Sequence, residues 1–154
     1  MEAVAPKPKY KTFTYHTGLH RIATRAAMLS SEDKPAFRVA SPPEFKGETD
    51  VWTPEDLFVA AAEICTMTTF ISFTEKAGLH IADYQSRANG ILEFVEGGYR
   101  FTKIIVRPKI AVDNEADLEK ARSVMHDAHK KCLIANSMKT EVIVEAEFVI
   151  TEAA

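Results

Sequence analysis

The sequence predicts an α+β fold with mostly antiparallel strands. Three observations carry that expectation. Pro54–Lys76 is one long apolar helix signal. Tyr84–Val95 and Glu141–Ile150 alternate apolar and polar residues as half-buried strands do. Glu96–Gly98 is a turn signal that folds the first of these runs back on the next. Strands that cluster separately from helices, rather than alternating with them, fit an α+β layout better than a parallel sheet.

Taken in order, residues 1–9, with Pro6 and Pro8, read as a loose arm before a single domain that fills the 154-residue chain. "YKTFTYHTG" and "HRIATRAAML" read as two short strands joined near Gly18, and "KPAFRVASPPEF" as a third that Pro42–Pro43 stops. The helix follows. Thr53 suits its N-cap, Pro54 its first position, Glu55 and Asp56 its first turn, and Gly78 its end. Its apolar residues, Leu57, Phe58, Val59, Ala61, Ile64, Met67, Phe70, Ile71 and Phe73, cover nearly the whole circumference. Such a helix is buried on all sides, wrapped by sheet or covered by a second subunit. The alternating Tyr84, Ser86, Ala88, Gly90, Leu92 and Phe94 then share one strand face, and Tyr99–Val112 is the partner strand. Asp113 or Asn114 caps a second helix over Glu115–Lys131, and the last strand runs Glu141–Ile150.

Composition narrows the function. The chain is 46% hydrophobic and 27% charged with a formal net charge of -3, an ordinary globular balance without the basic face that nucleic acid requires. The N-terminus has no apolar core for a signal peptide. The longest apolar stretch, Leu57–Phe73, is interrupted and short for a membrane span. The expectation is a cytoplasmic protein with no membrane partner, whose two cysteines are thiols.

Cys65 lies midway along the apolar helix and Cys132 at the end of the second one. Each alone reads equally well as a small buried hydrophobe, and sequence does not say whether they meet. His126, His129 and Cys132 recur every three residues, which places them along one helix side. That could be part of a zinc site, but without CxxC or HExxH the plainer reading is a polar face ending in basic residues. Glu55 reads first as a helix-start acid, ten residues before Cys65 and so about 15 Å from it along a straight helix. One site using both needs a bend or a second chain. No phosphate loop and no GxSxG serine motif is present.

Two stretches together resemble the OsmC/Ohr family (osmotically induced protein C and organic hydroperoxide resistance protein). "TPEDLFVAAAEIC" is similar to its Pro–Glu helix start with a cysteine ten residues after the Glu. "HKKCLIANS" is similar to its second motif, a His three residues before a cysteine and then a small residue and Asn. "TRAAMLSS" takes the place of the family's arginine segment, with Ala26–Ala27 where Gly is frequent. Leu133 stands where many members have Pro, and Thr66 where Phe or His is common.

The resemblance implies an OsmC-like fold, with antiparallel sheets wrapped on a long central helix in an intertwined homodimer whose sites lie at the subunit interface. It implies reduction of organic hydroperoxides with an external dithiol or lipoyl-type reductant and no bound cofactor or metal. Cys65 would be the peroxidatic thiolate and Cys132 the resolving thiol. Arg25 would support the thiolate, with Arg21 and Arg38 as rivals, and Glu55 would orient that arginine. Phe58, Met67, Phe70 and Ile134 either line a pocket for an alkyl or aryl peroxide or belong to the core. The alternative is a non-catalytic redox sensor or small hydrophobic ligand-binding protein on the same fold.

Overall fold

The structure, a computed structural model, describes residues 3–6 and 10–151. Of the arm expected over residues 1–9, residues 3–6 form no regular element and the others lie outside the described residues. The chain divides into two compact units, Met1–Thr53 and Pro54–Ala154.

The N-terminal unit is one antiparallel sheet in the order β1 (Gly18–Ala23), β2 (Ala26–Ser30), β3 (Phe37–Ala40). The stretch expected to be its first strand differs. Residues 10–17 form no strand, and "HRIATRAAML" is not one strand but most of a hairpin that turns at Thr24–Arg25. Phe13 and Tyr15, in the stretch expected to be a strand, are 73% and 89% exposed. β3 ends as expected at the prolines, and Pro43–Phe45 makes a single 3-10 turn.

The second unit is built on α1 (Pro54–Lys76), β4 (Asp83–Val95), β5 (Gly98–Val112), α2 (Glu115–Lys131), α3 (Leu133–Asn136), β6 (Glu141–Val144) and β7 (Glu147–Ile150). Both long helices fall where the sequence placed them. Asn114 caps α2, its side chain accepting from the Asp117 N–H at 3.1 Å. β4 and β5 form the expected antiparallel hairpin about Glu96 and Gly97, both at positive φ (51° and 87°), as a two-residue turn demands. The face alternation holds from Tyr84 to Gly90 and then fails. Ile91 pairs with Lys103 but Leu92 with Phe101, so Thr102 is an extra residue in β5. Phe94, expected on the inner face, is thereby turned outward, 65% exposed, edge-on to Tyr99.

The expected last strand is two strands, and both pair parallel with β5, not antiparallel. The cause is Pro108. Val106 pairs with Val144 and Lys109 with Glu147, so the break at Glu145–Ala146 falls opposite Arg107–Pro108. Glu145 N donates to Val106 O at 2.8 Å, but the next rung would need the N–H that Pro108 lacks. The Arg107 Nε–Glu145 Oε2 ion pair at 3.1 Å spans the gap.

β5 forms the floor of the core. Ile104, Val106, Ile110 and Val112 alternate inward with no exposed surface. Ile104 and Val106 pack with Ala62 of α1, while Ile110 packs with Phe70 of α1 and with Met125 and Ala128 of α2. The helix approaches the sheet closely at Gly90, where an added Cβ would stand 2.4 Å from Val59 Cγ2.

The sequence expectation for α1 needs correcting. Ala62, Cys65, Thr66, Phe70 and Thr74 are buried, but Ile64 is 58% and Met67 36% exposed. By length and composition α1 could cross a membrane (mean hydropathy 1.6), contrary to the reading of this stretch as too short. Its packing on β4 and β5 makes it a core helix with one side left bare.

Candidate active site

Cys65 and Cys132 meet. α2 ends at Lys131, and Cys132 takes an extended conformation (φ -64°, ψ 108°) that closes α2 and opens α3. The Asn136 side chain holds this corner by donating Nδ2–H to Lys130 O at 3.0 Å. The corner places the Cys132 thiol beside Cys65 on α1, near enough for each to shift the other's acidity. Both cysteines are free thiols, 8% and 0% exposed.

Their surroundings push them apart in acidity. Burial opposes a Cys65 thiolate. The neighbouring Ile134 backbone, Cys132 side chain, Thr69 hydroxyl and Leu133 backbone favour the thiolate and outweigh burial, so Cys65 is held below the ordinary thiol value. Burial pushes Cys132 up. The Ala135 and Ile134 N–H groups work against that, but donation to Cys65 and the negative charge there add to it, and Cys132 remains above the ordinary value. The two thiols therefore differ in acidity, Cys65 below the ordinary value and Cys132 above it.

The other expected site residues are placed as follows. Glu55 lies in the first turn of α1, half-buried, with Oε2 buried and lacking a hydrogen-bond partner. α1 is unbroken from Pro54 to Lys76, so Glu55 and Cys65 of one chain stand about 15 Å apart along it. Arg25 sits at the β1–β2 turn of the N-terminal unit, exposed. Its two rivals are engaged within that unit. Arg21 Nε donates to Ala23 O at 3.0 Å, and Arg38 makes a two-pronged pair with Glu48, at 2.8 and 2.5 Å.

Among the apolar candidates, Phe70 is a fully buried core ring, packed on Ile110 and Met125. Phe58 stacks on Phe101 at 5.0 Å. Met67 retains exposed surface. Ile134 is half-buried and reaches the thiolate through its backbone N–H. Leu133 is 66% exposed. His126 and His129 line a cleft of about 240 Å³ with Arg122, Met125 and Phe148. No group of three or more potential metal ligands occurs among the described residues.

Sequence reading missed Thr69 and the backbone donors of α3. Thr69 carried a usable signal, since it lies four residues after Cys65 on the same helix face. Backbone N–H groups carry none.

The signature described as OsmC-like protein matches residues 47–147. An uncharacterised Bacillus subtilis protein, YmaD, is 26% identical over 112 residues, spanning 71% of this chain and 75% of its own. Among solved structures, an OsmC-like protein of unknown function from Vibrio cholerae superposes with a TM-score of 0.80 at 24% identity, covering 88% of this chain and 99% of that one. An organic hydroperoxide resistance protein from Elizabethkingia anophelis gives 0.71 at 18% identity, covering 94% and 100%. These likenesses show the fold.

Proposed function

Because the chain belongs to the OsmC-like protein family, we propose that it is a thiol-dependent peroxidase that reduces organic hydroperoxides to alcohols. The feature that carries this reading is the pairing of the two motif cysteines, which stand close enough to shift each other's acidity, Cys65 downward and Cys132 upward. The Cys65 thiolate attacks one peroxide oxygen. An S–O bond forms, the O–O bond breaks, and the alkoxide leaves with a proton as the alcohol, so Cys65 becomes a sulfenic acid. Cys132 then attacks the Cys65 sulfur. A disulfide forms, and the sulfenic oxygen leaves as water with the Cys132 proton. An external dithiol, of lipoyl type or another small dithiol, reduces the disulfide.

The remaining parts of the site come from the family resemblance. Arg25 polarises the peroxide oxygens and Glu55 orients it. A second copy of the chain completes the site. Three features support a homodimer: the bare apolar side of α1, the unpaired strand-like residues 10–17, and the roughly 15 Å between Glu55 and Cys65 on one straight helix. Among the described residues the Arg25 guanidinium has no hydrogen-bond or ion-pair partner, whereas Arg21 and Arg38 are engaged, which favours Arg25 among the three. Met67 and Leu133 present apolar surface for the peroxide's organic group, with Phe58, Phe70 and Ile134 behind them. The chemistry belongs in the cytoplasm, where thiols are kept reduced.

The test is turnover of cumene hydroperoxide with a dithiol. Cys65→Ser abolishes it, and Cys132→Ser stops it after one equivalent. Full turnover by Cys65→Ser rejects the assignment. A wild-type protein that neither turns over peroxide nor forms the Cys65–Cys132 disulfide is the non-catalytic sensor or binder instead.

A further inference from the structure

The two-cysteine chemistry leaves one group beside Cys65 without a role. α1 carries four threonines, Thr66, Thr68, Thr69 and Thr74. A helical threonine ordinarily donates its hydroxyl to a carbonyl one turn back. Three do so: Thr66 to Ala62 O at 2.8 Å, Thr68 to Cys65 O at 3.3 Å and Thr74 to Ile71 O at 2.8 Å. Thr69 does not. Its Oγ1 lies 3.7 Å from Cys65 Sγ, one turn along the same face.

We propose that Thr69 is the positioning residue of Cys65: its hydroxyl donates to the sulfur and holds it in the rotamer that faces Cys132. The assignment rests on the peroxidase reading for its purpose but not for its geometry. A β-branched side chain is stiff at χ1, so the hydroxyl is aimed by the helix itself. Thr69 transfers no proton. It stabilises the anionic sulfur before attack and restricts the direction from which peroxide approaches.

Valine keeps the shape of threonine and removes the donor, and serine keeps the donor. The experiment follows alkylation of reduced full-length protein by iodoacetamide across pH, with each cysteine read separately by mass spectrometry. Thr69→Val slows Cys65 alkylation at pH 7 about fivefold and moves its pH profile upward. Thr69→Ser restores both. If the valine variant fails to fold by circular dichroism, Thr69→Ala replaces it with the same expected profile. A folded valine or alanine variant with an unchanged Cys65 profile overturns the proposal, and so does a serine variant that restores nothing. Alkylation needs no peroxide. A Cys65 that alkylates as expected yet reduces no hydroperoxide overturns the peroxidase reading and leaves the role of Thr69 standing.

Discussion

α1 and α2 are the two long helices of the C-terminal unit, and each carries one thiol to the site, yet they sit in it differently. α2 has an inner face of Ala121, Met125 and Ala128 and a charged outer one, and its surroundings within the unit account for its sequence. α1 is apolar on nearly every side, but only 28% of its apolar window is buried. The difference teaches that α2 is finished by its own chain whereas α1 keeps an apolar side that this chain leaves bare. The finished side carries Cys65, and the bare side is the surface the proposed homodimer would use.

Three measurements break or sharpen that contrast. The largest effect is on the finished side. Phe70→Ala empties the ring that α1 and α2 share with Ile110, and should lower unfolding free energy by about 3–5 kcal/mol in a denaturant titration. On the bare side, Ile64→Lys should leave the fold of the chain intact but weaken self-association by about 3 kcal/mol, roughly a hundredfold, measured by sedimentation. Ser123→Lys on the exposed face of α2 should change neither. A monomeric wild type, or an unaffected dimer in Ile64→Lys, removes the distinction between the helices.

The smallest effect separates the thiols at the two helices. A thiol held below its ordinary value loses its proton first as pH rises, and one held above it loses its proton last. Cys65 should therefore label well before Cys132 on the alkaline titration, and the order should collapse in denaturant. Equal labelling of both thiols in the folded protein would erase the asymmetry.

Much of this was legible in the sequence, for local reasons. Pro54 and Gly78 bound α1, Asn114 starts α2, and Glu96–Gly97 turns the hairpin, because each is a short-range backbone preference. The misses are non-local. Phe13 and Tyr15 alternate as a strand should, but a strand exists only with a partner, and none is supplied within the N-terminal unit. The split of the last strand was written not in that strand but at Pro108, in the strand beside it. At the site, the two cysteines and Glu55 could be named from motif resemblance. That the cysteines touch depends on the corner at Cys132, whose donors are backbone groups common to every residue.

The central position of β5 has a consequence for the order in which the protein forms. Its pairing with β4 closes over two residues, a rapid event. Its pairings with β6 and β7 wait for α2 and α3 to cross, and the Arg107–Glu145 bridge joins residues 38 positions apart. A chain caught between these stages already has α1 and the hairpin, but the corner at Cys132 is not yet docked. At that stage Cys65 lacks the Leu133 and Ile134 amides and the neighbouring thiol. The lowered acidity of Cys65 therefore comes only with the docked corner, so the reactivity of α1's thiol is tied to completion of the sheet around β5.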